Sequence, residues 1–354
     1  MLWIALACHE PDPSASLPEG GFVVATPAAI STLSRCLQRF PESEASTLGE
    51  MWARAAETCR ETLFVEGPGT SLECAPPPPA LAAALAGHQL RFGLPRTAAG
   101  MVSGGVDVAS DAQLTGGLLL PIPEELGPLG LVIPSATAAG PSMLRNQGAF
   151  LHARGRPDGG IDVAALVPEN SQADQLFDLR SSMLSGAVLQ GTWELAAYPP
   201  PPGRSMPEVV LGLGVRASTA PTAITTFAEM IRKKWSVQRE EITADAWRGE
   251  CLRGLNIMPE FEPCFLLNEQ SLAIGWNESA VRTGAAPGAR QPFETGMGVV
   301  IDTTALSASD ATLSALFPPE MQYAPIDYPL GRIELNARTL GNYVAVDVST
   351  GGCP

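Results

Sequence analysis

Only three histidines are available for acid–base work near neutral pH in this chain of 354 residues: His9, His88 and His152. General acid–base catalysis and nucleophile activation usually lean on an imidazole oriented by a carboxylate, so their placement bounds the chemistry. His9 lies in His9-Glu10-Pro11-Asp12-Pro13, away from any apolar run. His88 follows Gly87 at the end of an alanine-rich helical stretch, where an imidazole caps carbonyls. His152, in Ala149-Phe150-Leu151-His152-Ala153, reads as a strand residue facing water.

Known chemical motifs are scarce. No GxSxG elbow, HExxH pair or P-loop occurs. Gly212-Leu213-Gly214-Val215-Arg216-Ala217 fits the GxGxxA form of a dinucleotide fingerprint. Its helix, however, starts only at Pro221, too late for an N-terminus to meet a pyrophosphate. No CxxC or Cys/His cluster with zinc-ligand spacing is present, so neither a metal nor a cofactor is expected. The adjacent acidic pairs Glu240/Glu241 and Glu260/Glu262 read as surface residues. A hydrolase working with carboxylates alone is the competing reading, and it needs two of them to converge in a cleft.

The first eight residues, Met1-Leu2-Trp3-Ile4-Ala5-Leu6-Ala7-Cys8, form an apolar run that ends in a small residue and a cysteine. This resembles the end of a bacterial lipoprotein signal. The resemblance implies that Cys8 becomes a lipidated N-terminus and that the chain is held at a cell-envelope membrane. Residues 9–21 follow with three prolines and little apolar content, as a tether would. No later segment has the roughly twenty uninterrupted apolar residues of a spanning helix.

Beyond Cys8 there are six cysteines: Cys36, Cys59, Cys74, Cys251, Cys264 and Cys353. An even number suits an oxidising compartment. Spacing suggests Cys59 with Cys74 and Cys251 with Cys264, each closing a short loop with turn residues, which leaves Cys36 with Cys353. Closing each short loop is worth roughly 3 kcal/mol in the chain-entropy model.

Charge points away from nucleic acid. The chain carries 22 Lys+Arg against 37 Asp+Glu, a net of −15 at pH 7, where phosphate binding needs basic patches. Its only lysines, Lys233 and Lys234, adjoin Arg232 on one helix flank. That trio reads as a helix end favourable to the dipole, with contact to anionic lipid as the other possibility.

The elements that would hold these residues are short. Glycine (35) and proline (33) make up about a fifth of the chain, which excludes a helical bundle or coiled coil. Gly21–Val24 reads as a strand, Thr26-Pro27 as a cap with proline at the first helical position, and Ile30, Leu33, Leu37 and Phe40 as a helical stripe. The same succession recurs from Val209–Val215 into Thr219-Ala220-Pro221, where Ile224, Phe227, Ala228, Ile231 and Trp235 form a stripe. It recurs again at Gly298–Ala305 and at Ile161–Val167, the latter leading into Ser171-Gln172-Ala173-Asp174.

Strand-like tracts lie between, at residues 117–134, 241–255, 265–276 and 332–348, with a hairpin turning at Asn268–Ser271. The expected class is therefore α+β: duplicated strand–helix units with antiparallel sheets. Pro76–Pro79 and Pro199–Gly203 read as polyproline connectors. The second divides the chain into a tether (1–20), a first half (21–203) and a second half (204–354).

One tract is unusually apolar: Leu118, Leu119, Leu120, Ile122, Leu129, Leu131 and Ile133, set among prolines and glycines. Prolines cannot donate to a central ladder, so it is expected as edge or loop and as a surface for a ligand or partner. The functional expectation is a non-enzymatic, lipid-anchored envelope protein that binds an apolar ligand or an envelope partner. Its alternatives are a subunit of a surface assembly and the carboxylate hydrolase.

Overall fold

The computed structural model describes residues 22–37, 63–66, 88–93, 102–109, 113–122, 133–135, 140–157, 189–204, 206–254, 262–288, 295–314 and 331–352, with 50, 53, 54 and 57 besides. They belong to two compact units. One draws on residues 1–125, 302–307 and 324–354, the other on 126–301 and 308–323.

The first unit is built on an antiparallel sheet. Its strands are β1 (Phe22–Ala25), β2 (Leu63–Glu66), β3 (Leu90–Gly93), β4 (Ser103–Val108), β5 (Leu114–Pro121), β14 (Arg332–Leu340) and β15 (Tyr343–Thr350). They lie in the spatial order β2-β1-β3-β4-β5-β15-β14. Strand side chains alternate between faces, so register decides which residues meet. Leu118 and Leu120 stand opposite Val346 and Val344, which in turn face Ala337 and Thr339, giving one mostly apolar face. The other face carries Asp107, Thr115, Asn336, Arg338 and Asp347. Helix α1 (Pro27–Leu37) follows β1; the Thr26 hydroxyl accepts from Ala29 N at 3.3 Å, and Ala29, Ile30 and Ser34 are buried.

The second unit holds β6 (Leu151–Gly155), β7 (Leu189–Tyr198), β8 (Glu208–Val215), β9 (Gln238–Ala244), β10 (Trp247–Arg253), β11 (Cys264–Leu267), β12 (Ser271–Gly275) and β13 (Met297–Asp302). Their order is β13-β6-β7-β8-β12-β11-β10-β9. Around β8 and β12 this sheet is packed with apolar residues on both faces, which explains the nearly unbroken apolar run of β8. On one face Leu144, Ala196, Val210, Leu266 and Ala273 pack with Ala280, Val281 and Ala285 of α3 (Glu278–Ala285). On the other, Leu189, Leu213, Val215 and Leu272 pack with Ala220 and Ile224 of α2 (Ala220–Trp235). A further helix, α4 (Thr303–Ser314), follows β13.

This architecture corrects the expected class. The protein is β-rich rather than α+β with strand–helix units. Strands β1, β8 and β13 are indeed followed by helices, but the described strands pair antiparallel with their neighbours. A strand–helix unit would need the helix to return the chain to a parallel neighbour. Here α2 and α3 cover sheet faces instead, and the sheets grow by hairpins such as β14–β15, β9–β10 and β11–β12. The last turns at Asn268, whose side-chain oxygen accepts from Gln270 N and Ser271 N at 2.9 and 2.8 Å. Pro199–Gly203 lies in the connection between the paired strands β7 and β8.

A second correction concerns residues 117–122. Strand β5 is not an edge; it pairs with β4 on one side and β15 on the other. Ile122 N donates to Asn342 O at 2.9 Å, so the Pro121 nitrogen is turned away from β15. It points past the end of the β4 pairing, which stops at Ser103 opposite Leu119. Proline is tolerated there because no donor is required. The fourth strand–helix succession (161–183), Phe40 and the Pro76–Pro79 run lie outside the described residues.

Candidate functional site

The densest group of buried polar side chains sits on β6 and β7 of the second unit. Register places Arg154 opposite Glu194 and His152 opposite Ala196, so His152, Arg154 and Glu194 share one face. All three are buried. The segment 140–150 runs over them. Gly140 O accepts from the Arg154 guanidinium at 2.9 Å, and Met143 N donates to Glu194 Oε2 at 2.6 Å. His152 Nε2 lies 2.5 Å from Glu194 Oε1. The Ser142 hydroxyl stands between Glu194 Oε1 and Leu144 O and, with one proton, donates to one at a time.

The same segment is fastened further along. Arg145 N donates to Gly284 O at 2.9 Å, Tyr198 OH donates to Arg145 O, and Phe150 N donates to Ala197 O at 2.9 Å. Fully buried Leu144 lies over Gly212, where a Cβ would come within 3.1 Å of Leu144 Cγ. Residues 140–150 thus form a strap across the sheet, with an apolar plug and a polar clamp.

The electrostatics fit a clamp. Burial opposes ionisation of Glu194, yet the His152 hydrogen bond and charge, the Ser142 hydroxyl and Met143 N–H together hold its carboxyl below the ordinary glutamate range. Burial draws the Arg154 guanidinium below its ordinary value, while the nearby Glu194 charge pulls it up. Serine, histidine and a carboxylate are therefore together, but in the wrong order for a hydrolase. A catalytic imidazole stands between hydroxyl and carboxylate; here the carboxylate stands between hydroxyl and imidazole. A glutamate that resists protonation is also a poor proton acceptor. The arrangement holds backbone in place.

His152 departs from expectation. His152 is on a strand but does not face water, because the β6 register turns it toward Glu194. The stretch before His88 lies outside the described residues; His88 itself precedes β3 and directs Nδ1 to Asp107 Oδ2 at 2.9 Å, with its ring over Gly105, whose missing side chain makes the room. Gln89 N also donates to Asp107, at 3.2 Å to Oδ1.

Two of the acidic residues considered for catalysis, Glu240 and Glu262, have a cationic partner. Arg253 binds Glu240 at 2.7 Å, Glu278 at 2.6 Å and Glu262 as well. These hydrogen bonds and charges outweigh partial burial and raise the Arg253 pKa, while the neighbouring Arg282 and Arg253 lower that of Glu278. Glu241 is exposed and Glu260 lies outside the described residues. Three carboxylates do converge, but on an arginine.

Cys251 and Cys264 are joined by a disulfide, with Cα atoms 4.0 Å apart. They face each other across β10 and β11. Leu252 N donates to Pro263 O at 2.9 Å, which makes the neighbouring pair the hydrogen-bonded one. The cysteines thus occupy a non-hydrogen-bonded position, where side chains come closest. Both are buried among Trp247, Leu266 and Ile242. Cys8, Cys59, Cys74 and Cys353 lie outside the described residues, as does the side chain of Cys36.

Of the apolar tract, Leu118, Leu119, Leu120 and Ile122 are half-buried at the end of β5 in the first unit. Ile133 belongs to the second unit, half-buried beside the Pro134–Pro157 bridge. Leu129 and Leu131 lie outside the described residues. Among the described residues no cluster of His, Cys, Asp and Glu could hold a metal ion, and no helix is long and apolar enough to cross a membrane.

Sequence reasoning missed Glu194 and Arg154 altogether. The available signal was alternation: His152 and Arg154 lie two apart in a short strand of small and apolar residues, and Glu194 is the one charge between Trp193 and Tyr198. Fold and site together define a β-rich, disulfide-bonded protein whose clustered Ser, His and Glu serve the framework. No protein-family model, curated protein or solved structure matches the chain.

Proposed function

We propose that this protein works outside the reducing cytoplasm, fastened to an envelope membrane through acylated Cys8, and binds an apolar ligand or envelope partner without turning over a substrate. The observation that carries this reading is the Cys251–Cys264 disulfide, enclosed in the core of the second unit. A disulfide so placed belongs to a chain folded under oxidising conditions. Ala7-Cys8 and the tether after it supply the means of attachment. The half-buried leucines of β5 supply an apolar contact surface. The binding role also draws on Glu194, Glu240 and Glu262, which are engaged by internal partners instead of facing a substrate.

The test is the mass of the mature N-terminus after expression of the full chain in a bacterium with lipoprotein processing. A diacylated Cys8, lost with its membrane fractionation in Cys8→Ala, is the expected result. An unmodified Met1 on a cytosolic protein whose Cys251 and Cys264 are reduced overturns the reading.

A further inference from the structure

The first unit carries two matching runs in neighbouring strands, Ser103-Gly104-Gly105 in β4 and Thr115-Gly116-Gly117 in β5. Register sets Arg91 of β3 opposite Gly105, Gly105 opposite Gly117, and Gly117 opposite Asp347 of β15. From Arg91 to Asp347, about 14 Å at the ordinary strand spacing, that row has only glycines in between. Two side chains from β3 and its approach use the room. A Cβ on Gly105 would come within 3.0 Å of the His88 ring and 3.3 Å of Arg91 Cγ, so the imidazole and the arginine stem both lie over β4.

Among the described charged groups of this face, one is unpaired. Asp107 accepts from His88 Nδ1 at 2.9 Å and from Gln89 N at 3.2 Å. Asp347 binds Arg338 at 3.0 Å, and Glu334 binds Arg332 at 2.6 Å. Arg91 has neither a hydrogen bond nor an ion pair among the described residues, and its Nε is buried without a partner. Burial draws its guanidinium below the ordinary value, and the Asp107 charge pulls it back up. A buried donor left unanswered is costly, and arginine does not escape the cost by losing its proton. The His88 side chain is 5% exposed and spends Nδ1 on Asp107, which leaves Nε2 for a further contact.

We infer that Arg91 and His88 form a binding site for a carboxylate-bearing ligand, with the Arg91 fork taking both oxygens and His88 Nε2 donating to one of them. A planar guanidinium matches the two oxygens of a carboxylate. With Nδ1–H given to Asp107, Nε2 donates only when the ring is protonated, and that proton also offsets Asp107. Arg91 then leaves the group with a single positive charge, which suits a carboxylate better than a phosphate dianion. Leu118 and Leu120 point to the other side of β5, and the site depends neither on them nor on Cys8.

The experiment follows the imidazole signals of the full chain by nuclear magnetic resonance after 13C labelling of its three histidines, with His88→Asn to identify the one concerned. Sodium acetate is titrated against sodium chloride at equal ionic strength, at pH 6 and pH 8. Saturable displacement of the His88 signal by acetate alone, tighter at pH 6, supports the proposal. Arg91→Gln should weaken acetate binding about tenfold to a hundredfold. Arg91→Lys keeps the charge and much of the stem but loses the fork, so it should weaken binding too; it keeps the result readable if Arg91→Gln melts early.

No displacement by acetate, equal affinity at both pH values, affinity unchanged in both variants, or tighter binding of inorganic phosphate at pH 8 overturns the proposal. Trialanine with a free or an amidated C-terminus separates the sources of the carboxylate. Tighter binding of the free form than of acetate assigns the site to a peptide end, and binding no tighter than acetate assigns it to a small acid. Equal binding of the amidated form overturns the carboxylate reading.

Discussion

Glu194 and His152 meet inside the second unit at 2.5 Å, oxygen to nitrogen, with side chains 0% and 4% exposed. The pair joins a strand to its neighbour and, through Ser142 and Met143, joins both to the strap above them. Removing one member takes from the other its closest partner in a buried site, which costs more than the intact pair contributes.

Glu194→Gln and His152→Ala should each lower stability by about 3 kcal/mol, read as a shift of the urea midpoint at pH 7. Serine replacement by alanine at Ser142 should cost less, about 1–2 kcal/mol, since Met143 N and His152 still satisfy the carboxylate. Equal effects from all three would show that the cluster does not centre on Glu194.

Acid should act through the same carboxyl. Its folded pKa is depressed below the ordinary 4.5, so its contribution is fully present above that value and is lost as pH falls through the folded pKa. Wild-type stability should therefore drop on acidification below about pH 4.5 more steeply than that of Glu194→Gln. Urea titrations at successive pH values measure this, and parallel curves would exclude Glu194 as a source of the slope.

The disulfide closes a loop of sequence separation 13 inside a packed core. Cys251→Ala/Cys264→Ala should lose about 3 kcal/mol by the chain-entropy estimate. Because both sulfurs are in the bond, a thiol reagent should find no free thiol from this pair in the native or the denatured unreduced protein. Reductant should open the bond much faster in denaturant than in buffer. Thiol counting by mass after alkylation decides it.

Gly155 stands opposite Trp193, and a Cβ built there would come within 2.6 Å of the indole. Gly155→Ala should cost about 1–3 kcal/mol and shift the tryptophan emission, because a ring locked in the sheet cannot retreat as a flexible chain end could. An unchanged midpoint and spectrum would place the indole elsewhere.

The legible parts of this protein were those decided within a few residues. Thr26-Pro27 announced α1, the apolar run before Pro221 announced β8 and α2, and Asn268 announced a turn. The spacing of Cys251 and Cys264 proposed the bond that joins them. Each follows from a local rule: a cap, a fixed φ, a side chain bonding its own backbone, a short closable loop.

What tertiary structure alone decided is pairing. A strand followed by a helix has the same local signature whether the helix crosses over to a parallel neighbour or merely covers a sheet, so β8 and α2 did not disclose an antiparallel fold. Nor does a strand's sequence say which face meets the core; a shift of one residue in β6 would have turned His152 to the other face. Glu194 and His152 are 42 positions apart. Only the register of β6 on β7, fixed by apolar burial along both strands, brings them into contact and settles that their charges support the framework.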